Sequence, residues 1–266
     1  MPGDERAPRL TLDADEAVRL LETGEMQVLG LLPRSSNYTF LVKVTPRTVA
    51  GSDEQPGETS ALDDSSTDLL AVYKPRAGET PLWDFPDGTL GLREVAAFRV
   101  ARALGWPRVP PTLYREGPEG PGSVQRFMEF DPTQHYFTLF EGREQVFRRV
   151  AIFDAVVNNA DRKGGHCLLA SDGEIFVIDH GVCFASSPKL RTVIWEFAGE
   201  PISSDETAAL SHLAEALETG GELREDLAPL LHPAEIDATE HRARALARVG
   251  RFPEPGLDRP YPWPEI

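Results

Sequence analysis

The 266-residue sequence predicts a two-lobed α+β fold, with a β-rich first half carrying one helix and a mostly helical second half built around one hairpin. Three observations lead there. Five short β-rich runs bounded by turn residues all fall before residue 130, which is the pattern of an antiparallel sheet. From residue 145 onward the apolar residues recur at helical spacing instead. The exception is a pair of short strand-like runs between 166 and 181, joined through Asp172-Gly173, a strong hairpin-turn signal. The expected organisation is an N-lobe over 1–130, a C-lobe over 131–250 and a proline-rich tail over 251–266.

In chain order, EMQVLGLLP (25–33) and YTFLVKV (38–44) read as strands joined by the turn Arg34-Ser35-Ser36-Asn37. LLAVYKP (69–75) is the third strand. It is reached through GSDEQPGETSALDDSSTD (51–68), which holds six acids, no base and little to bury, and so reads as a loop. A helix at 92–104 is closed by Gly105 and Pro107, and strands follow near 112–116 and 122–129. QVFRRVAIFDAVVNN (145–159) predicts a helix with Val146, Val150, Phe153 and Val157 on one buried stripe. HCLLAS (166–171) and EIFVIDHG (174–181) form the hairpin. Helices over 204–219 and from Pro233 to Gly250 complete the second half. The tail RFPEPGLDRPYPWPEI has five prolines in sixteen residues and is expected to be extended, strapped to the domain with Trp263 as its anchor.

Composition removes several function classes. Lysine and arginine total 27 against 43 aspartates and glutamates, a formal charge of −16. Such a balance disfavours sequence-independent nucleic-acid binding and docking on anionic membranes, both of which need clustered cations. The start MPGDERAPRL has no apolar run, and no stretch is long and apolar enough to span a bilayer, so no integral membrane association is expected. With only Cys167 and Cys183, no disulfide scaffold is possible, and a reducing, cytoplasmic location is expected.

The chemistry concentrates in NNADRKGGHCLLASDGEIFVIDHG (158–181). Asp161 stands in a loop after a buried helix, and Asp179 at the end of the hairpin's second strand. Alone, Asp161 would cap a turn or pair with Arg162, and Asp179 would merely end a strand. Together, two carboxylates on neighbouring loops suit phosphoryl transfer, one orienting the accepting hydroxyl and the other holding a metal ion on nucleotide phosphates. Lys74 ends the third strand. Glu94 lies on the helix face of Ala97, Phe98 and Ala101, where a carboxylate needs a cationic partner. A lysine that pairs such a glutamate and also reaches phosphates is the arrangement of kinases.

The order strand-Lys, helix-Glu, linker strand, helix, DR-containing loop, strand, IDHG resembles the phosphatidylinositol 3-/4-kinase-like and HipA-like kinases. More closely, YKPRAGETPLWDFPDGTLGLREVAAFRVARALGW, GSVQRFM and NNADRKGGH…VIDHG resemble an actinobacterial family described as phosphatidylinositol-kinase-related. The similarity runs from about residue 25 to about residue 200. It implies a two-lobed protein-kinase-like fold that uses ATP with magnesium or manganese to phosphorylate an unidentified protein, small-molecule or lipid hydroxyl. By that resemblance Lys74 contacts the ATP phosphates with Glu94 holding it, and Ser35, Ser36 and Asn37 cover them. Gln125, Phe127 and Glu129 flank the adenine, Asp161 is the catalytic aspartate, and Asp179 the metal-binding one.

The chain departs from kinase patterns at several points. It has no GxGxxG, no Walker motif and no HRD, and His180 follows Asp179 where many kinases have Phe. His166 occupies the place where related kinases put an asparagine as second metal ligand, and imidazole suits magnesium less well than an amide oxygen. A nucleotide-binding pseudokinase scaffold and an AMP-transferring enzyme on the same fold are therefore the alternatives. A zinc site from His166-Cys167 and His180-x-x-Cys183 is disfavoured, because adjacent strand residues point to opposite faces. Two buried thiols are the simpler expectation. Trp83 and Phe85 are expected to pack on an insertion over the nucleotide mouth.

Overall fold

A computed structural model describes residues 12–33, 37–47, 68–256 and 259–266. Within these the chain opens with a helix the sequence reading did not contain, α1 (Ala14–Thr23). Its start is marked by a capping box: Glu16 N–H donates to Asp13 Oδ1 at 2.8 Å and Asp13 N–H donates to Glu16 Oε2 at 3.0 Å. That D-x-x-E spacing was the available signal.

The five expected strands form one antiparallel sheet. They are β1 (Glu25–Leu31), β2 (Phe40–Thr45), β3 (Leu69–Pro75), β4 (Thr112–Gly117) and β5 (Gly120–Arg126), in the order β1-β2-β3-β5-β4. Strand alternation sorts their side chains into two faces. Val42, Val44, Ala71, Tyr73 and Val124 are buried against Ala17 and Leu21 of α1. The opposite face carries Leu41, Val72 and Gln125 in register, with Lys74 beside Ser123. The acidic stretch read as a loop lies outside the described residues except for Asp68, which pairs with Lys43.

Helix α2 (Leu90–Leu104) ends at Gly105, whose positive φ of 76° gives the left-handed cap that glycine adopts without cost. Its Ala97, Phe98, Ala101 and Leu104 join the core of the second half, the same cluster as Phe147, Val150, Phe153 and Leu213. That half contains α3 (Tyr136–Leu139), α4 (Glu144–Val157), β6 (Cys167–Leu169), β7 (Ile175–Val177), α5 (Ser204–Ala216), α6 (Glu222–Leu227) and α7 (Pro233–Val249). Helix α4 is buried on most sides, so a single stripe does not describe it. Phe147, Val150, Phe153 and Val157 face the core, while Val146 is exposed.

The hairpin strands are shorter than the sequence suggested. The β6–β7 ladder spans only Cys167–Leu169 against Ile175–Val177. It stops because Asp179 takes a left-handed backbone (φ 64°) that no strand can contain. Trp263 does not anchor the tail, being 83% exposed; the described tail residues are held through Phe252 and through backbone carbonyls.

Candidate active site

The loop after α4 distributes its side chains among separate tasks. Asn158 closes the helix with φ 54°, donates to the carbonyls of Ala185 and Ser187, and accepts from the Lys189 N–H. Asn159 donates from Nδ2 to Asp154 Oδ1 at 3.0 Å, and its Oδ1 accepts the Asp161 N–H at 3.0 Å. Arg162, the neighbour that would have neutralised Asp161, turns inward to Asp154 instead. Both side chains are 0% exposed and meet through Nε and Nη2 at 3.0 Å. Arg162 also donates to the Ile178 carbonyl at 3.0 Å and to His180 Nε2 at 2.7 Å. An arginine only donates, so His180 is neutral there with its proton on Nδ1. Burial, and then the Arg162 charge, hold its pKa well below the ordinary histidine value.

Asp161 is thereby left facing the cleft, one-third exposed, with Lys163 Nζ 3.3 Å from Oδ2. Burial raises its pKa above the usual aspartate value, against the lowering pull of Lys163. Lys163 was not singled out from sequence, although its place two residues after the aspartate was the signal.

From the other side, Lys74 Nζ reaches Glu94 Oε1 at 2.6 Å and Asp179 Oδ1 at 3.1 Å. Burial works against its charge, but the two carboxylates outweigh it and hold the ammonium well above the ordinary lysine range. Asp179 is 49% exposed, and its carboxyl is held well below the usual range chiefly by Lys74. Its left-handed backbone costs a non-glycine residue roughly 1–2 kcal/mol, a strain typical of functional positions. His166 Nε2 stands 3.3 Å from Asp179 Oδ2, and burial brings the imidazole pKa down to about 4. It is therefore neutral at pH 7.

Glu94 is fixed by its neighbour. Arg93, fully buried, donates to the Cys183 carbonyl at 2.7 Å and to Glu235 Oε1 of α7 at 2.6 Å, and covers the Phe85 ring at 4.9 Å. Phe85 packs on Ala160 and Ala185, and Asp84 pairs with Lys189 at 2.7 Å. The WDF insertion thus crosses to the second half beside Asp161, while Trp83 is 93% exposed, with Lys189 Nζ 5.2 Å from its ring.

Gln125, Phe127 and Glu129 lie on β5 and the segment following it. Gln125 donates to Thr112 Oγ1 at 2.8 Å, Phe127 N–H donates to the Leu70 carbonyl, and Glu129 is exposed. Ser35 and Ser36 lie outside the described residues. Asn37 accepts from the Thr80 N–H at 2.8 Å. Cys167 and Cys183 are buried free thiols, and among the described residues no three His, Cys, Asp or Glu side chains are grouped so as to hold a metal ion between them.

No family model matches the chain. It is 38% identical over 290 residues to "Protein Rv2133c" of Mycobacterium tuberculosis, covering 96% of this chain and 97% of that protein. Among solved structures it resembles the golgi casein kinase, with TM-score 0.50, 15% identity, and 88% and 74% of the two chains covered. Hydra Fam20, solved with sugar, matches with TM-score 0.51, 14% identity, and 92% and 91% covered. The fold is that of the atypical kinases. Among the described residues no helix is long and apolar enough to cross a membrane.

Proposed function

The chain belongs to the family of Mycobacterium tuberculosis Rv2133c, and we propose that it transfers phosphate from ATP, with a divalent metal ion, to a hydroxyl acceptor. The observation that carries this reading is the single lysine ammonium shared by Glu94 at 2.6 Å and Asp179 at 3.1 Å. A pair kept only for stability would need one carboxylate. A cation held on one side by a buried glutamate, and on the other by a half-exposed aspartate, suits phosphate oxygens arriving at that aspartate. On the DRKGGH…IDHG pairing we read the chain as related to the phosphatidylinositol 3-/4-kinase-like and HipA-like kinases.

In this reading Lys74 contacts the phosphates, Glu94 orients Lys74, and Asp161 receives the acceptor's proton or aligns its hydroxyl. Lys163 neutralises the phosphoryl group as it moves. Ser35, Ser36 and Asn37 cover the phosphates. The adenine lies against the sheet face of Leu41 and Val72, beside Gln125, Phe127 and Glu129. The donor set fits a metal ion: Asp179 offers a half-exposed carboxylate and His166 a neutral imidazole. Held by Asp179 and His166, the ion would supply Lewis-acid charge to offset the negative charge of the phosphates.

Binding is checked by melting temperature. A hundredfold excess of magnesium-ATP over Kd should stabilise the fold by ~2.7 kcal/mol, roughly a 5–10 °C rise for a chain of this size. Lys74→Met and Asp179→Asn should each shrink that rise. No shift with any divalent metal would end the kinase reading. Supplying γ-labelled and α-labelled ATP in parallel then identifies the group moved: γ label on an acceptor supports phosphoryl transfer, and α label the AMP-transfer alternative.

His166 predicts a metal preference. Its Nδ1 accepts the Lys163 N–H at 3.3 Å, so for Nε2 to ligate the ring proton must move to Nδ1 and the hydrogen bond from the Lys163 N–H must be given up. Imidazole suits manganese better than magnesium. Turnover should therefore favour manganese, and His166→Asn should narrow the ratio. An unchanged ratio would remove His166 from the metal site.

A further inference from the structure

Lys163 and His166 are separated only by Gly164 and Gly165, in a single 3-10 turn. Two glycines give the turn no side-chain packing of its own and the largest conformational entropy to lose. Yet Lys163 Nζ stands 3.3 Å from Asp161 and His166 Nε2 stands 3.3 Å from Asp179. Something outside the turn must fix that geometry.

At the His166 end Ile178 N–H donates to the His166 carbonyl at 3.0 Å, and at the Gly164 end the contact comes from the tail. Gly164 N–H donates to the Glu265 carbonyl at 2.7 Å. The Pro260 carbonyl accepts from the Thr192 N–H at 3.0 Å and from Trp195 Nε1 at 3.2 Å. Thr192 in turn lies beside Arg162 in a parallel bridge, with Arg162 N–H on the Arg191 carbonyl and Val193 N–H on the Arg162 carbonyl. Residues 259–266 therefore touch the loop directly at Gly164 and indirectly through the segment that backs Arg162. The hold is through backbone and through Pro262, which is buried, while Tyr261, Trp263 and Ile266 are exposed. Prolines at 260, 262 and 264 restrict the free tail and lower the entropy lost on docking.

Building on the phosphotransferase reading, we propose that residues 259–266 are a positioning strap for the Lys163–His166 turn, and that the chemical step depends on it while nucleotide binding does not. The direct nucleotide contacts assigned above come from the sheet, Lys74 and Asp179, and His166 joins them only through the metal ion. The strap touches the turn that presents Lys163 and His166 and, through Pro260, Thr192 and Trp195, neither of which is assigned to the nucleotide.

The test uses the full-length chain with 259–266 replaced by an equal length of glycine and serine. Turnover of manganese-ATP should fall ~10–100-fold, the loss expected when a catalytic group is displaced by about an ångström. The Kd for metal-free ATP, which His166 does not help to bind, should stay within about twofold of the parent. Millimolar free peptide RPYPWPEI should restore turnover, which a general loss of stability would not allow. Gly164→Pro is the second variant: it removes the N–H that the Glu265 carbonyl accepts at 2.7 Å, at the first position of the turn where proline is tolerated, and should reproduce the loss. Amide hydrogen exchange at 162–166 reads the same coupling without turnover, and should speed up in both variants. Unchanged exchange, or turnover equal to the parent in the replaced-tail chain, overturns the strap. Failure of the parent to bind nucleotide overturns the kinase reading instead, with exchange still deciding whether the tail holds the turn.

Discussion

Asp154→Asn is expected to cost about 3–5 kcal/mol of folding stability, the range measured when one partner of a buried ion pair is removed. Asp154 and Arg162 are both fully buried, and three hydrogen bonds from the guanidinium converge on the one carboxylate. The asparagine keeps the size but leaves the Arg162 charge in a site without solvent. At ~2–4 °C per kcal/mol for a chain of this length, the melting temperature should fall by roughly 10 °C. A comparison fixes the scale: Asp15 and Arg102 also pair, at 3.1 Å, but on the surface. Asp15→Asn should therefore move stability by no more than ~1 kcal/mol. The double variant Asp154→Leu/Arg162→Met should recover much of the loss, since apolar residues of similar volume can replace a buried pair. It should not recover turnover, because Arg162 also ties the Ile178 carbonyl and His180 to the loop bearing Asp161. If Asp154→Asn melted with the parent, the pair would not be what organises this loop.

That pair also marks where sequence reasoning ended. Lys74, Glu94, Asp161 and Asp179 were legible because each stands where local periodicity gives it a direction: the end of an alternating strand, the apolar face of a helix, or a loop after a buried element. Lys74 and Glu94 do meet. Asp154 offered no such signal. It is a polar residue inside a buried helix, eight positions before its partner, and the two meet only because Asn158 turns the chain through a left-handed residue. Sequence spacing cannot show that Arg162 turns back to Asp154 and away from the adjacent Asp161.

The other differences have equally local causes. EIFVIDHG reads as one strand because alternation continues to Ile178, but the left-handed Asp179 ends pairing at Val177. Trp263 looked like an anchor because large aromatics bury well, whereas this segment docks through its carbonyls and the buried Pro262 and leaves its aromatic rings outside. Helix α2 packs on β4 and β5 of the sheet and also sends Ala97, Phe98, Ala101 and Leu104 into the core of the second half, and Arg93 ties it to α7. Glu94 therefore presents its carboxylate to Lys74 from a helix that both halves hold.

Asp161→Asn should leave nucleotide affinity near the parent's and lower transfer by roughly 10²–10⁴-fold, the usual contribution of a positioned acid or base. The amide keeps the shape and can still meet the Asn159 side, since that contact uses the Asp161 backbone N–H. It cannot accept the acceptor's proton as a carboxylate does. The pH profile supplies the second arm. Burial raises the Asp161 pKa, and the nearby Lys163 charge partly opposes that rise. Transfer needs the ionised form, so activity should fall as pH drops through a pKa above the ordinary aspartate value. Removing the opposing charge in Lys163→Met should move that acidic limb to still higher pH. Stability follows the same sign. A carboxylate whose folded pKa is raised binds more protons folded than unfolded, so its ionisation destabilises the fold as pH rises. Asp161→Asn should then melt at or slightly above the parent temperature at neutral pH, the opposite of Asp154→Asn. An Asp161→Asn protein that turned over ATP like the parent, with the same acidic limb, would make Asp161 a structural residue and place the acid-base work on another group.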